Sequence, residues 1–194
     1  MTETRKPLSL QEPPSEVKSQ FSSPKWAADI FNDPTYQACT NESLAVKSTN
    51  ADSFCSKTLA TSDTVAACQL FYKSPQPPNK FCEIIGLFKL GSGVNGHIDT
   101  CHGGFVSFIL DEIMGMAAEG ERPRDKAMMT AYLKVDYKKP VRTPGTILCR
   151  AWLGKREGRK MWGRGTVEDG EGGIMAVGEA LFLVVERVKA KEKL

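Results

Sequence analysis

The sequence predicts an α+β domain in which one long helix packs on an antiparallel sheet, and three observations carry that reading. Between Gly103 and Glu119 the apolar residues Phe105, Val106, Phe108, Ile109, Leu110, Ile113, Met114, Met116 and Ala117 cover nearly every direction of a 3.6-residue period. A helix apolar on all sides is a buried one. Strand-like runs follow at 127–137, 146–153, 161–168 and 174–185. Two of the joins, Lys155 to Arg159 and Asp169 to Gly173, are turn-rich, so the last strands form a meander. A helix that must be covered and a sheet with one apolar face make a two-layer domain.

Taken in order, residues 1–24 are rich in Pro, Ser, Glu and Lys and read as a flexible tail. Residues 25–79 read as a helical and irregular extension. Within it, Lys25 to Tyr36 holds a short helix ended by Asp33 and Pro34, and a polar stretch carries the anchors Phe54, Leu59, Val65, Leu70 and Phe71. Thr61 to Thr64 is a capping or turn segment, and Pro75 to Lys80 a loop. The main domain spans 80–188 and opens with a strand over 81–90, and 189–194 is a basic tail. In the strand 127–137, Ala127, Met129, Ala131, Leu133 and Val135 form the apolar face, which places Thr130 opposite unless a bulge intervenes.

Composition narrows the function classes. The chain has 194 residues, 41% apolar and 25% charged, enough for one domain with a proper core. A net charge of +3, with Lys and Arg scattered among acids, argues against nucleic acid as a partner. No apolar run is long enough to span a membrane. Six cysteines without tight pairing or a CxxC, and acids through Met1 to Gln20, point to reduced thiols in a cytoplasmic chain, with mitochondrial import the less supported alternative.

The chemistry concentrates on the long helix. Asp111 is a carboxylate on an otherwise apolar surface, flanked one turn away by the small residues Ser107 and Gly115. Such a group is costly unless it reacts or is paired, and it suits a general base or a nucleophile at a carbonyl. Glu112 points about a third of a turn away and reads as lying at a sheet edge or a subunit contact. His102, Gly103 and Gly104 set a ring and backbone N–H groups at the helix start, the equipment of an oxyanion site. Gly91 to Gly96 matches GxGxxG, but the glycines do not open a helix and no βαβ unit follows. His97, Asp99, Cys101 and His102 lack a metal-binding spacing and a completing partner, so no metal is expected. No GxSxG elbow supports a triad hydrolase.

Asn95 to Gly104, Asp111 nine positions after His102, and the run Met128 to Pro140 together resemble the hot-dog acyl-CoA thioesterases, in the HGG branch that includes phenylacetyl-CoA and long-chain acyl-CoA enzymes. The resemblance covers about 81–185, and Leu59 to Tyr72 looks like the extension of fungal members. It implies a hot-dog fold, a central helix wrapped by an antiparallel sheet. It also implies Asp111 as base or nucleophile, His102 with the Gly103 N–H polarising the carbonyl, and Thr130 holding the attacking water from a neighbouring subunit. Asn95, His97, Gly104 and Ser107 would line the substrate, with Lys138, Lys139 and Arg159 toward the phosphates. Coenzyme A enters only as part of the substrate, with no other cofactor, and the protein is a homodimer or homotetramer. Ile98 and Asp99 stand where many members have Pro and Gly. An editing or releasing thioesterase acting on carrier-bound chains, and a non-catalytic acyl-binding subunit, are the alternative readings.

Overall fold

The computed structural model describes residues 9–77 and 80–187. In chain order the elements are α1 (Ser15–Gln20), α2 (Lys25–Asn32), β1 (Gln37–Cys39), β2 (Val65–Lys73), β3 (Glu83–Leu90), β4 (Asn95–His97), β5 (Thr100–Cys101), α3 (Gly103–Glu119), β6 (Lys126–Tyr137), β7 (Gly145–Glu157), β8 (Lys160–Glu168) and β9 (Ile174–Glu186). One sheet runs β1-β2-β3-β7-β8-β9-β6, all neighbours antiparallel, and β4-β5 is a separate hairpin.

The sheet curves around α3, whose Val106, Ile109, Leu110, Ile113, Met114 and Ala117 are buried against it. Close approach is allowed by the cross-strand pair Gly165 and Gly178. A Cβ at Gly165 would lie 3.1 Å from Met114 Cγ, and one at Gly178 would lie 3.1 Å from Met114 Cε, so side chains there would push the helix off the sheet. The opposite face of α3, with Phe108, Asp111, Glu112 and Gly115, is only half-buried. The expected all-round burial therefore holds for the sheet side alone.

The N-terminal residues pack on the convex side of the sheet. Phe21 and Ala27 are fully buried with Ile85, Leu87, Phe71 and Leu148, and Phe31 meets Phe71 edge-on at 5.1 Å between ring centres. Within the segment read as a tail, then, Ser15–Gln20 is helical and Phe21 is a core residue. The tail read at 189–194 lies outside the described residues.

Two features of the sheet differ from the sequence reading. Strand β2 went unread because it is covered on both sides, Leu70 facing the α3 core and Phe71 the convex cluster, and a doubly covered strand shows no polar alternation. Strand β6 pairs with β9 at the far edge of the sheet, beside the meander β7-β8-β9. Its register slips between Thr130 and Tyr132, so Ala131 has no cross-strand partner. This is the bulge that reverses the face of the strand: Met128 and Thr130 point toward α3 before it, Leu133 and Val135 after it, while Met129 is 59% exposed.

Candidate active site

Asp111 and Thr130 meet because of that bulge. The Thr130 hydroxyl donates to Asp111 Oδ1 at 3.0 Å within one chain, so the expectation that Thr130 arrives from a neighbouring subunit is corrected. Burial raises the Asp111 carboxyl above its ordinary range, and the Thr130 bond pulls the other way. The pair opens on a cavity of about 360 Å³ between α3, β6 and the N-terminal segment. Gly115, one turn on, also lines it, as the small-residue stripe predicts.

The start of α3 is built differently. His102 caps the helix, its Nδ1 accepting the Gly104 N–H at 2.9 Å. This fixes the neutral tautomer with Nε2–H directed away. It also corrects the expectation of two unhindered glycine N–H groups: Gly104 is committed to the cap, while the Gly103 N–H has no acceptor among the described residues. His102 is exposed, not a core histidine. Tyr137, to which the sequence reading gave no role in the site, closes this end by donating to the Gly103 carbonyl at 2.9 Å and lying 2.5 Å from Ser107 Oγ. Its parity with Leu133 and Val135 along β6 was the available signal.

Other expected residues divide by location. Asn95 accepts from the Thr143 hydroxyl and supports the β4-β5 hairpin, which carries His97 at the surface. Lys138 and Lys139 are exposed, their N–H groups on the Met175 carbonyl, and they share a hollow of about 280 Å³ with Gly103 and Tyr137. Arg159 is not gathered with them. It sits at the β7-β8 turn, its carbonyl accepting from Val184, while Tyr137 pairs with Ala176. The eight residue steps along β9 from Ala176 to Val184 separate the two sites by about 26 Å at ~3.3 Å per residue. The glycines of 91–96 also have a local purpose, since a Cβ at Gly91 or Gly93 would collide with Asp63.

Glu112 lines the same cavity as Asp111, beside the edge strand β6 and under the N-terminal segment, with hydrogen bonding from Ser43 and Cys55 acting to lower its carboxyl. Burial, and then the charge of Asp111, raise its carboxyl. All six cysteines are free. Desolvation pushes Cys39, Cys55 and Cys68 up to about 12, the chemistry of inert core thiols. Among the described residues no helix is long and apolar enough to cross a membrane.

Residues 99–176 match the sequence model of the thioesterase superfamily. Over 85 residues the chain is 35% identical to acyl-coenzyme A thioesterase THEM4 of Rattus norvegicus, covering 44% of this chain and 35% of that protein. Over 70 residues it is 36% identical to verlamelin biosynthesis protein B of Lecanicillium sp, covering 31% and 29%. The chain thus spans about a third of the length of these curated relatives. A solved thioesterase family protein from Silicibacter pomeroyi shares the fold, with a TM-score of 0.54 at 19% identity over 70% of this chain and 95% of that one. A curved antiparallel sheet around one helix, with His102, Gly103 and Gly104 at its start and Asp111 two turns on, is the hot-dog fold, and within it residues 99–176 are similar to the thioesterase superfamily.

Proposed function

We propose that the protein hydrolyses acyl-CoA thioesters, with Asp111 as general base and the start of α3 as the oxyanion site. The observation that carries this reading is Asp111 itself, a half-buried carboxylate with one oxygen bonded by Thr130 and a cavity beside it. In the proposed step a water oxygen bonds to the thioester carbonyl carbon while Asp111 takes the water proton. The C–S bond then breaks, and the proton returns from Asp111 to the departing thiolate. The Gly103 N–H and His102 Nε2–H stabilise the oxyanion. Coenzyme A enters only as part of the substrate. Similarity to a biosynthesis protein motivates a second reading, the same reaction on a carrier-bound chain, which a preference for carrier-bound over free-CoA substrates would single out.

Gly103 and Asp111 are eight residues apart on one helix, about 12 Å at ~1.5 Å per residue. A single carbonyl cannot contact both. In our reading a second copy supplies the missing half: β6 is an open edge with Met129 59% and Tyr132 41% exposed, and two copies joined there antiparallel bring the start of one α3 beside Asp111 of the other.

Mixing two inactive variants tests this. Asp111→Asn and His102→Ala are each expected to be nearly silent. After subunit exchange, a shared site returns up to about a quarter of wild-type thiol release, because half the dimers are mixed and each holds one intact site. No recovery, with exchange verified by mass, would place base and donors in a single chain.

A further inference from the structure

The cavity beside Asp111 has an unusual wall. Small-molecule pockets are lined mainly by apolar side chains. Here Met116, Met128 and Phe182 supply apolar floor, but Glu112 and Ser43 face the same space, and the ion pair of Lys47 with Asp52 stands at its rim. Ser43, Lys47 and Asp52 come from the N-terminal extension, outside the matched residues 99–176. This wall therefore belongs to the extension, not to the catalytic fold.

The charges sort the two ends of a thioester. With Asp52 paired to Lys47 and Glu119 to Arg122, the carboxyls of Asp111 and Glu112 remain without a cationic partner in the lining and disfavour the phosphates of coenzyme A there, whereas Lys138 and Lys139 flank the hollow at Gly103. The acyl group is thus the part that enters the cavity. At about 30 Å³ per water-sized group, 360 Å³ holds on the order of a dozen such groups. A plain alkyl chain there would lay methylenes on the Glu112 carboxyl and strip it of solvent without replacing the lost hydrogen bonds.

We infer that Glu112 is a specificity-determining residue and that the preferred acyl group carries a hydroxyl that hydrogen-bonds to it. This rests on the reading of Asp111 as the base of this site. Glu112 and Ser43 stand together in the cavity wall, so an acyl group in this space meets the Glu112 carboxyl, an acceptor for its hydroxyl. A site that hydrogen-bonds a substrate hydroxyl rejects the analogue lacking it more strongly than an apolar pocket rejects an added hydroxyl.

The test uses the full chain with hexanoyl-CoA, 3-hydroxyhexanoyl-CoA and 6-hydroxyhexanoyl-CoA. Wild-type kcat/KM is expected to favour the better hydroxylated substrate by roughly ten- to a hundredfold over hexanoyl-CoA. Glu112→Leu should bring that ratio close to one, and Glu112→Gln, which still accepts a hydrogen bond, should keep part of it. An equal or inverted wild-type ratio overturns the proposal, as does a Glu112→Leu chain that keeps the preference. Should Glu112→Leu not fold, the wild-type ratio and Glu112→Gln decide. The same ratio is read as affinity for the intact thioesters in Asp111→Asn, so the hydroxyl preference is measured apart from turnover. Turnover that survives Asp111→Asn removes the base assignment while leaving the preference to stand or fall on its own numbers.

Discussion

Two turns of the same helix have opposite surroundings. Asp111 sits mid-helix, half-buried, bonded by a threonine from the edge strand and roofed by the N-terminal segment. His102 sits at the helix start, exposed, held by its own cap, beside the Gly103 N–H that has no acceptor among the described residues. The first environment strengthens a base by withholding water. The second presents dipoles already fixed in direction, which cost no reorganisation when charge develops. The difference teaches why one helix can host both halves of the proposed reaction without completing it alone: each turn suits one charge, and about 12 Å separates them.

The largest expected effect separates the two turns by kind. Asp111→Asn keeps the shape and the Thr130 bond but removes the proton acceptor, and kcat should fall about a hundred- to ten-thousandfold. His102→Gln should cost about a hundred- to a thousandfold, the scale of one oxyanion donor. Steady-state thiol release on one acyl-CoA measures both. A His102→Gln loss equal to that of Asp111→Asn on KM alone, with kcat intact, would mean that the helix start only binds substrate.

A smaller effect sharpens the Asp111 side. The Thr130 bond lowers the Asp111 carboxyl against the upward push of burial. Thr130→Val removes it, so the carboxyl rises further and the acid limb of kcat/KM against pH moves to higher pH. The loss should be greatest on that limb and narrow as pH rises and Asp111 is ionised in both proteins. An unmoved limb would mean that the bond does not act on the titrating group.

How much of this was legible before folding follows from periodicity. The helix, its cap and the stripe around Asp111 were readable because helical spacing is local. Thr130 was placed on the wrong face because a single unpaired residue, Ala131, reverses a strand, and no alternation count reveals that. The covering of Glu112 was not legible because its neighbours, Ser43 and Cys55, come from a non-periodic segment far away in sequence. Arg159 was grouped with Lys138 and Lys139 by charge, although strand direction sends them to opposite ends of β9.

The smallest expected effect is on stability, and its sign separates the two turns once more. Asp111 binds its proton more tightly folded than unfolded, because burial raises the folded carboxyl. Stability therefore falls as pH rises from the ordinary carboxylate range through the raised value, and at neutral pH the ionised group is a burden on the fold. Asp111→Asn removes that burden while keeping an acceptor for Thr130, so thermal unfolding at pH 7 should show a rise in Tm on the order of a few degrees. The advantage should vanish below the ordinary carboxylate range, where the wild-type group is protonated in both states. At the other turn, His102→Ala removes a helix cap and should destabilise by about 0.5–2 kcal/mol. Opposite shifts in the two variants would mark Asp111 as a residue kept at a cost to the fold and His102 as one that serves the fold and the chemistry together. A destabilised Asp111→Asn would instead make Asp111 part of the scaffold.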